Sequence, residues 1–261
     1  RFMNSCSVNW RKFTLQLGSA VIRKVAPLTD ESRRNVLIID DSLFSRSRSK
    51  KVELLAKVYD HVEHKYTKGF RMLTLGWSDG NSFLPLSHCL LSSANRENRL
   101  QEASVDVDTR SNGGKQRKLA QTKATSVVQT LLKEAKDADI PAKYVLFDTW
   151  FCSPASLIQT KEIGYDVIAM LKKSDTIHFR YNGRMQSAPA IFRAATKRRG
   201  RARFLLSVDV EAVKGLTSTP VKLVFVRNRN KRQEYLILAS TDISLSEEEI
   251  IRIMRKETAI K

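Results

Sequence analysis

Two short apolar runs in this sequence stop at carboxylates. Val36-Leu37-Ile38-Ile39 flows into Asp40 and Asp41, and Tyr144-Val145-Leu146-Phe147 flows into Asp148. A short, fully apolar run reads as a buried central strand, with the acid at its polar end. If two such strands are neighbours in one sheet, their terminal carboxylates converge. Convergent carboxylates with no cysteine or histidine beside them make a hard, oxygen-only site that suits Mg²⁺ or Mn²⁺ rather than zinc. Two such ions about 3.5–4 Å apart activate water and stabilise the leaving oxygen in phosphodiester cleavage. The plain alternative is that acids at strand ends serve as turn and helix-cap residues.

Charge favours the first reading. The 261 residues carry 46 Lys+Arg against 27 Asp+Glu, a formal net charge of +19, so the expected partner is a polyanion and the expected phosphodiester is in nucleic acid. The cations cluster at Arg46/Arg48/Lys50/Lys51, Lys115/Arg117/Lys118, Lys197/Arg198/Arg199/Arg201/Arg203 and Arg227/Arg229/Lys231/Arg232. Phosphate neutralisation supplies salt-sensitive affinity without reading sequence, so such loops would hold double-stranded DNA across the site. The competing reading of each cluster is a solvated turn, and the cluster around 197–203, which borders a strand, argues most for DNA contact. His61-x-x-His64 has no cysteine or carboxylate partner at ligand spacing and does not read as a metal site. Trp77 and Trp150 offer base-stacking surface, but core packing is the expected role of both.

Cys6, Cys89 and Cys152 are odd in number and widely spaced, which suits a reducing compartment and excludes both a disulfide framework and a CxxC metal site. No apolar run approaches the roughly 18 residues of a membrane span, and the first 30 residues lack a signal peptide's apolar block. The expected location is cytoplasmic, on the nucleoid. The chain opens on Arg1, which leads us to expect a longer reading frame.

The elements that must position these acids follow from periodicity. Apolar residues at three- and four-residue steps predict a helix over 8–28 and another over 120–138. Residues 45–51 read as a basic connection. Phe70–Trp77 and Phe83–Leu91 are β-prone runs joined through Asp79-Gly80, a hairpin signal. Residues 92–118 are polar, with Asn112-Gly113-Gly114 as a breaker. Strand 144–148, helix 155–163 closed by Gly164, and strand 166–171 come next. From about 174 the chain predicts a mainly antiparallel segment with strands at 177–181, 204–210, 221–226 and 235–240 and a helix at 188–196. Ser246-x-x-Glu249 has the form of a capping box opening a last helix. The fold class expected is α/β, a ribonuclease-H-like mixed sheet with helices carrying a β-rich insertion. The division expected is a helical tail of a preceding region at 1–30, a core at 31–173, the insertion at 174–243, and a truncated terminal helix of the core at 244–261.

The stretch from Val36 to Phe151, including VLIIDDSLFSRSRSKKVELLAKVYDHVEHKYTKGFRMLTLGWSDGNSFLPL and PAKYVLFDTWF, resembles bacterial insertion-sequence transposases of the DDE type, in the insertion-sequence-4-like group. The likeness continues through DVIAMLKK and KRRGRARFLLSV. It implies a ribonuclease-H-like fold, a β-rich insertion before the third acid, and Mg²⁺- or Mn²⁺-dependent cutting and joining of transposon ends in double-stranded DNA, usually by a homodimer. By motif, Asp40 resembles the first acid and Asp148 the second. Asp41 is the rival of Asp40, since strand alternation turns adjacent side chains to opposite faces. In the family the third acid follows a Tyr and an Arg on a late helix and precedes a Lys. Here Met254 takes the Tyr position, Glu257 stands where Arg should be and Lys261 where Glu should be, so the signature is absent. Glu257 or Glu249 is the substitute, although Glu249 also completes the cap and Glu257 can pair with Lys261. Two readings stay open, a working transposase and a non-catalytic, nucleic-acid-binding remnant.

Overall fold

The computed structural model describes residues 7–28, 33–200, 202–228, 231 and 234–260, with side chains as far as 255. Two compact units divide the chain, one drawn from residues 1–29, 39–76 and 84–140, the other from 30–38, 77–83 and 141–261. Strand β1 (Val36–Ser45) contributes its first three residues to the second unit and the rest to the first.

In the first unit β1 lies beside β3 (Lys65–Ser78), which pairs on its other side with the antiparallel β2 (Ala56–Asp60) in the register Ala56↔Gly69 to Asp60↔Lys65. Strand β4 (Phe83–Leu91) also pairs with β3, as the Asp79-Gly80 signal predicts. Gly80 adopts φ 98°, and the Asp79 carboxylate accepts the amides of Asn81 and Ser82 at 2.9 and 2.7 Å. Pairing with β3 carries β1 beyond its apolar run. Asp40 and Asp41 therefore sit inside the strand rather than at its end, which corrects the expectation from composition.

Helix α1 (Trp10–Val25) is capped by Asn9, whose side chain accepts the Lys12 amide, and it buries Leu15 and Ile22. Its Gly18 meets Leu86 of β4 so closely that an added Cβ would lie 2.5 Å from Leu86 Cδ2. Helix α2 (Asn112–Ala120) is a second correction, because Asn112-Gly113-Gly114 opens a helix instead of breaking one. Ser111 caps it by accepting the Gly114 amide, and the turn 108–111 folds over Gly114 closely enough that a Cβ there would overlap the Asp108 carbonyl oxygen. Helix α3 (Ala124–Asp137) buries Val127, Val128, Leu131, Leu132 and Ala135, the stripe the sequence shows. Arg11 of α1 donates to Glu134 of α3 at 2.7 Å.

In the second unit the opening of β1 lies beside β5 (Tyr144–Phe147), which pairs in parallel with β6 (Asp166–Leu171), Tyr144↔Asp166 to Phe147↔Ala169. Helix α4 (Pro154–Ile163) makes the crossover between them. It starts in a capping box of Ser153 and Ser156 and ends at Gly164 with φ 96°. Beyond β6 the sheet continues antiparallel through β11 (Tyr235–Ser240), β10 (Thr217–Arg227), β9 (Phe204–Lys214), β7 (His178–Tyr181) and β8 (Arg184–Ser187). The short α5 (Ala188–Ala194) links β8 to β9. Strands β2 and β8 are absent from the sequence reading because each is only four or five residues long, too short for its alternation to stand out. Helix α6 (Glu247–Ile260) lays Ile250, Ile251, Ile253 and Met254 on Val36, Ile38, Tyr144, Leu146, Ile168 and Val224, the core of this unit.

One polar network anchors that core. Asp242 accepts from Lys143 Nζ at 2.8 Å, Tyr144 Oη at 3.0 Å and Ser244 Oγ at 2.5 Å. Burial works against its charge, yet these donors overcome it and hold the carboxyl well below the usual carboxylate range. A depressed folded pKa means stability that is present above the unfolded value of about 3.9 and lost as pH falls through the folded one. The stability gap between wild type and Asp242→Asn is therefore expected to be widest at neutral pH and to narrow below about pH 4, as read by urea unfolding across pH. Gly114→Ala ordinarily gains about 1 kcal/mol in a helix. Here the overlap with Asp108 and Thr109 should outweigh that gain, with a net loss of about 1–3 kcal/mol in the same assay.

Candidate active site

Asp148 follows β5 directly and is half-buried. Its Oδ1 accepts the Trp150 amide at 3.0 Å and its carbonyl accepts the Phe151 amide at 3.4 Å, so the acid is fixed by a turn of its own making. Phe151 and Cys152 bury themselves just beyond it, and Ser153 starts α4. The Cys152 thiol is pushed up to about 12, first by burial and then by the negative charge of Asp148. Such a thiol stays protonated and is no nucleophile. Trp150 does not pack in a core as expected. It is 57% exposed, whereas Trp77 is fully buried and donates its indole N–H to Pro141 O at 2.9 Å. The turn explains the difference, because it projects residue 150 outward while anchoring residue 151.

Asp40 and Asp41, adjacent on β1, differ in their surroundings. Asp41 forms an ion pair with Arg71 of β3, and Arg71 Nη1 also lies 3.2 Å from His61 Nε2. Beside a guanidinium donor that nitrogen acts as acceptor, so His61 serves the arginine. His64 lies in the turn after β2 with φ 51°. Among the described residues no group of three or more His, Cys, Asp or Glu side chains is arranged to hold a metal ion. Asp40, half-buried after the fully buried Ile39, is left as the carboxylate of the other face. Sequence reasoning did not find Arg71. Its place on β3, opposite β1, emerges only from strand pairing.

At the chain's far end, Ser246 Oγ accepts the Glu249 amide at 3.2 Å, one half of the expected capping box. The Glu249 side chain binds Arg252 through two bonds of 2.7 and 2.6 Å and reaches Arg34 at 3.7 Å. Met254 is buried. Glu257 belongs to α6, but its side chain lies outside the described residues.

The basic candidates fall on two loops. Arg46, Arg48 and Lys50 follow β1 and are exposed, with the Arg46 guanidinium 4.4 Å from the Phe44 ring centroid. Between α5 and β9, Lys197 donates to Arg193 O at 3.1 Å, Arg198 lies over Phe204 at 4.4 Å, and Arg199 and Arg203 are exposed. Arg201, Arg229 and Arg232 lie outside the described residues. Arg117 is engaged by Glu53 at 2.5 Å, and Arg227 donates to the carbonyls of Gly200 and Ala202. These two arginines brace loops of the protein itself.

Among the described residues no helix is long and apolar enough to cross a membrane. No curated protein matches the chain. A family model described as DDE superfamily endonuclease matches residues 1–231, a stretch that takes in both acid-bearing strands and the basic loops and stops short of β11 and α6. With most of its length inside that match, the chain belongs to the DDE superfamily of endonucleases.

Proposed function

We propose that this chain is a DDE-type transposase, of the insertion-sequence-4-like group, that cleaves double-stranded DNA at transposon ends and joins the cut ends to a target. Asp40 and Asp148 are its metal ligands and Glu257 its third acid. The observation that carries the reading is the family match across both acid-bearing strands. The donor chemistry fits Mg²⁺ or Mn²⁺, since both residues are half-buried carboxylates with hard oxygens. When bound, the divalent ion supplies the charge that activates a water or a 3′ hydroxyl and stabilises the leaving oxygen. The protein's part is positioning. The Asp148 turn orients one carboxylate, and the Arg71 ion pair keeps Asp41 from competing with Asp40. The loops at 46–50 and 197–203 neutralise phosphates of the bound DNA. The enzyme acts in the cytoplasm on nucleoid DNA, as a homodimer, and the β-rich segment 174–243 is an insertion between the second and third acids.

A second reading, a DNA-binding remnant without catalysis, is favoured by α6, where Met254 is buried and Glu249 is tied to two arginines. Nicking of supercoiled plasmid with and without Mg²⁺ separates the two. Nicking lost on Glu257→Gln supports the transposase with Glu257 as third acid, and DNA binding without any nicking supports the remnant.

Asp148→Asn and Asp40→Asn keep side-chain shape and lose charge, so each is expected to abolish Mg²⁺ or Mn²⁺ binding in calorimetric titration while leaving the melting temperature nearly unchanged. Asp41→Asn is expected to do the reverse, retaining metal affinity and costing about 1–3 kcal/mol of stability, because it leaves Arg71 without its carboxylate. Equal metal affinity in wild type and Asp148→Asn would remove Asp148 from the site. Neutralising Lys197, Arg198, Arg199 and Arg201 together should flatten the slope of log K against log salt for duplex DNA by up to about 0.9 per lost phosphate contact. An unchanged slope assigns this loop to solvent.

A further inference from the structure

A cavity of about 540 Å³ opens within the first unit, between α1, the loop after β1, β4 and α2. Neither Asp40 nor Asp41 lines it. Its size falls among small-ligand sites, which run from about 300 to 1,000 Å³. The floor is apolar and partly aromatic, with Leu54, Phe70 and Ala120 backed by Phe44 and Leu90, and Trp10 contributes a further ring. Three guanidinium groups stand in its lining: Arg117 is engaged by Glu53, Arg11 is engaged through one nitrogen by Glu134, and Arg46 lies over an aromatic ring. Arg46 is exposed and stacks on Phe44 at the mouth. The Arg11 Nε and Nη1 atoms are buried with no hydrogen-bond partner among the described residues, so this wall is short of acceptors.

This combination selects its ligand. Aromatic and aliphatic walls favour a flat, apolar ring system, and the Arg46 guanidinium together with the buried, acceptor-poor Arg11 nitrogens favours an attached anion. A neutral sugar lacks both the planar π-surface and the anion, and an aliphatic acid lacks the planar surface that rings and arginine planes stack on. We propose that this cavity binds one nucleotide unit, the base against the Phe44, Phe70 and Trp10 rings and the phosphate beside Arg46. The nucleotide comes either from free mononucleotide or from a base turned out of bound DNA, and both present the same ring and anion.

The test uses the full chain in EDTA, so that it stands apart from metal-dependent cleavage. Calorimetry with AMP is expected to show saturable one-to-one binding, with ribose 5-phosphate and decanoate not binding. Arg46→Gln, which removes charge from an exposed side chain, and Val52→Trp, which plugs the mouth from a partly exposed loop position, are each expected to weaken AMP at least about tenfold. Circular dichroism melts matching wild type show that neither variant has unfolded. A duplex carrying 2-aminopurine then separates the sources. A rise in its fluorescence on binding wild type, lost in Val52→Trp, assigns the cavity to an extruded base. AMP binding with the duplex probe still quenched assigns it to free nucleotide. The proposal is overturned if neither AMP nor the duplex probe responds, if decanoate or ribose 5-phosphate binds as tightly as AMP, or if folded Val52→Trp responds as wild type does.

Discussion

Strand β6 is held from both sides, and the second unit is organised around that double pairing. On one edge it runs parallel to β5, and on the other it runs antiparallel to β11, from Ile168↔Ser240 to Leu171↔Ile237. Thr241 closes the corner, accepting the Val167 amide, returning its own amide to the Val167 carbonyl and donating its hydroxyl to Asp166. The parallel pair is closed by the α4 crossover and the strands beyond β6 are antiparallel, so β6 is where one mode of sheet building changes into the other. The antiparallel strands β7 to β11 join the sheet through this register. A one-residue slip would turn Ile168 out of the face that α6 covers.

That covered face explains why an acid follows β5 where it does. Tyr144 and Leu146 point into the core under α6, while Val145 and Phe147 are buried on the opposite face. With both faces of the strand committed to apolar contact, a charged residue is tolerated only past its end. Asp148 stands at that first position and satisfies its own turn. The Lys143–Tyr144–Asp242 network performs the matching task at the strand's beginning, so a run of only four residues, Tyr144–Phe147, is held at both ends.

Asp40 and Asp41 are governed by a different constraint. Here the strand continues, and the choice between neighbouring carboxylates falls to alternation and to the cation that alternation brings opposite. Arg71 neutralises Asp41 and is itself steadied by His61, which also packs edge-on against Tyr59 at 5.1 Å. One histidine of the pair that invites a metal reading thus supports an ion pair beside a candidate acid. The start of α2 depends on a third local device, Gly114, whose missing Cβ lets the turn 108–111 close over it.

Local pattern was enough for every element whose burial is periodic or complete. The stripes of α1 and α3, the apolar runs of β1, β5 and β6, and the Asp79-Gly80 hairpin are visible because the hydrophobic effect writes the same period into composition that packing later uses. The phrases around Asp40 and Asp148 were likewise enough to point to the DDE superfamily. Three features that bear on the site or the cavity escaped, two because a nearby turn closes in a way that composition does not announce and one because its partner lies on another strand. Asn112-Gly113-Gly114 reads as a breaker until the Asp108 turn closes over it. Arg71 carries no signal of its own until β3 lies beside β1. Trp150 reads as core until the Asp148 turn faces it outward. Sequence determines which residues avoid water and which carry charge, because those are properties of side chains alone. Tertiary structure decides which charge meets which, because an ion pair's energy depends on a distance that only the folded chain sets.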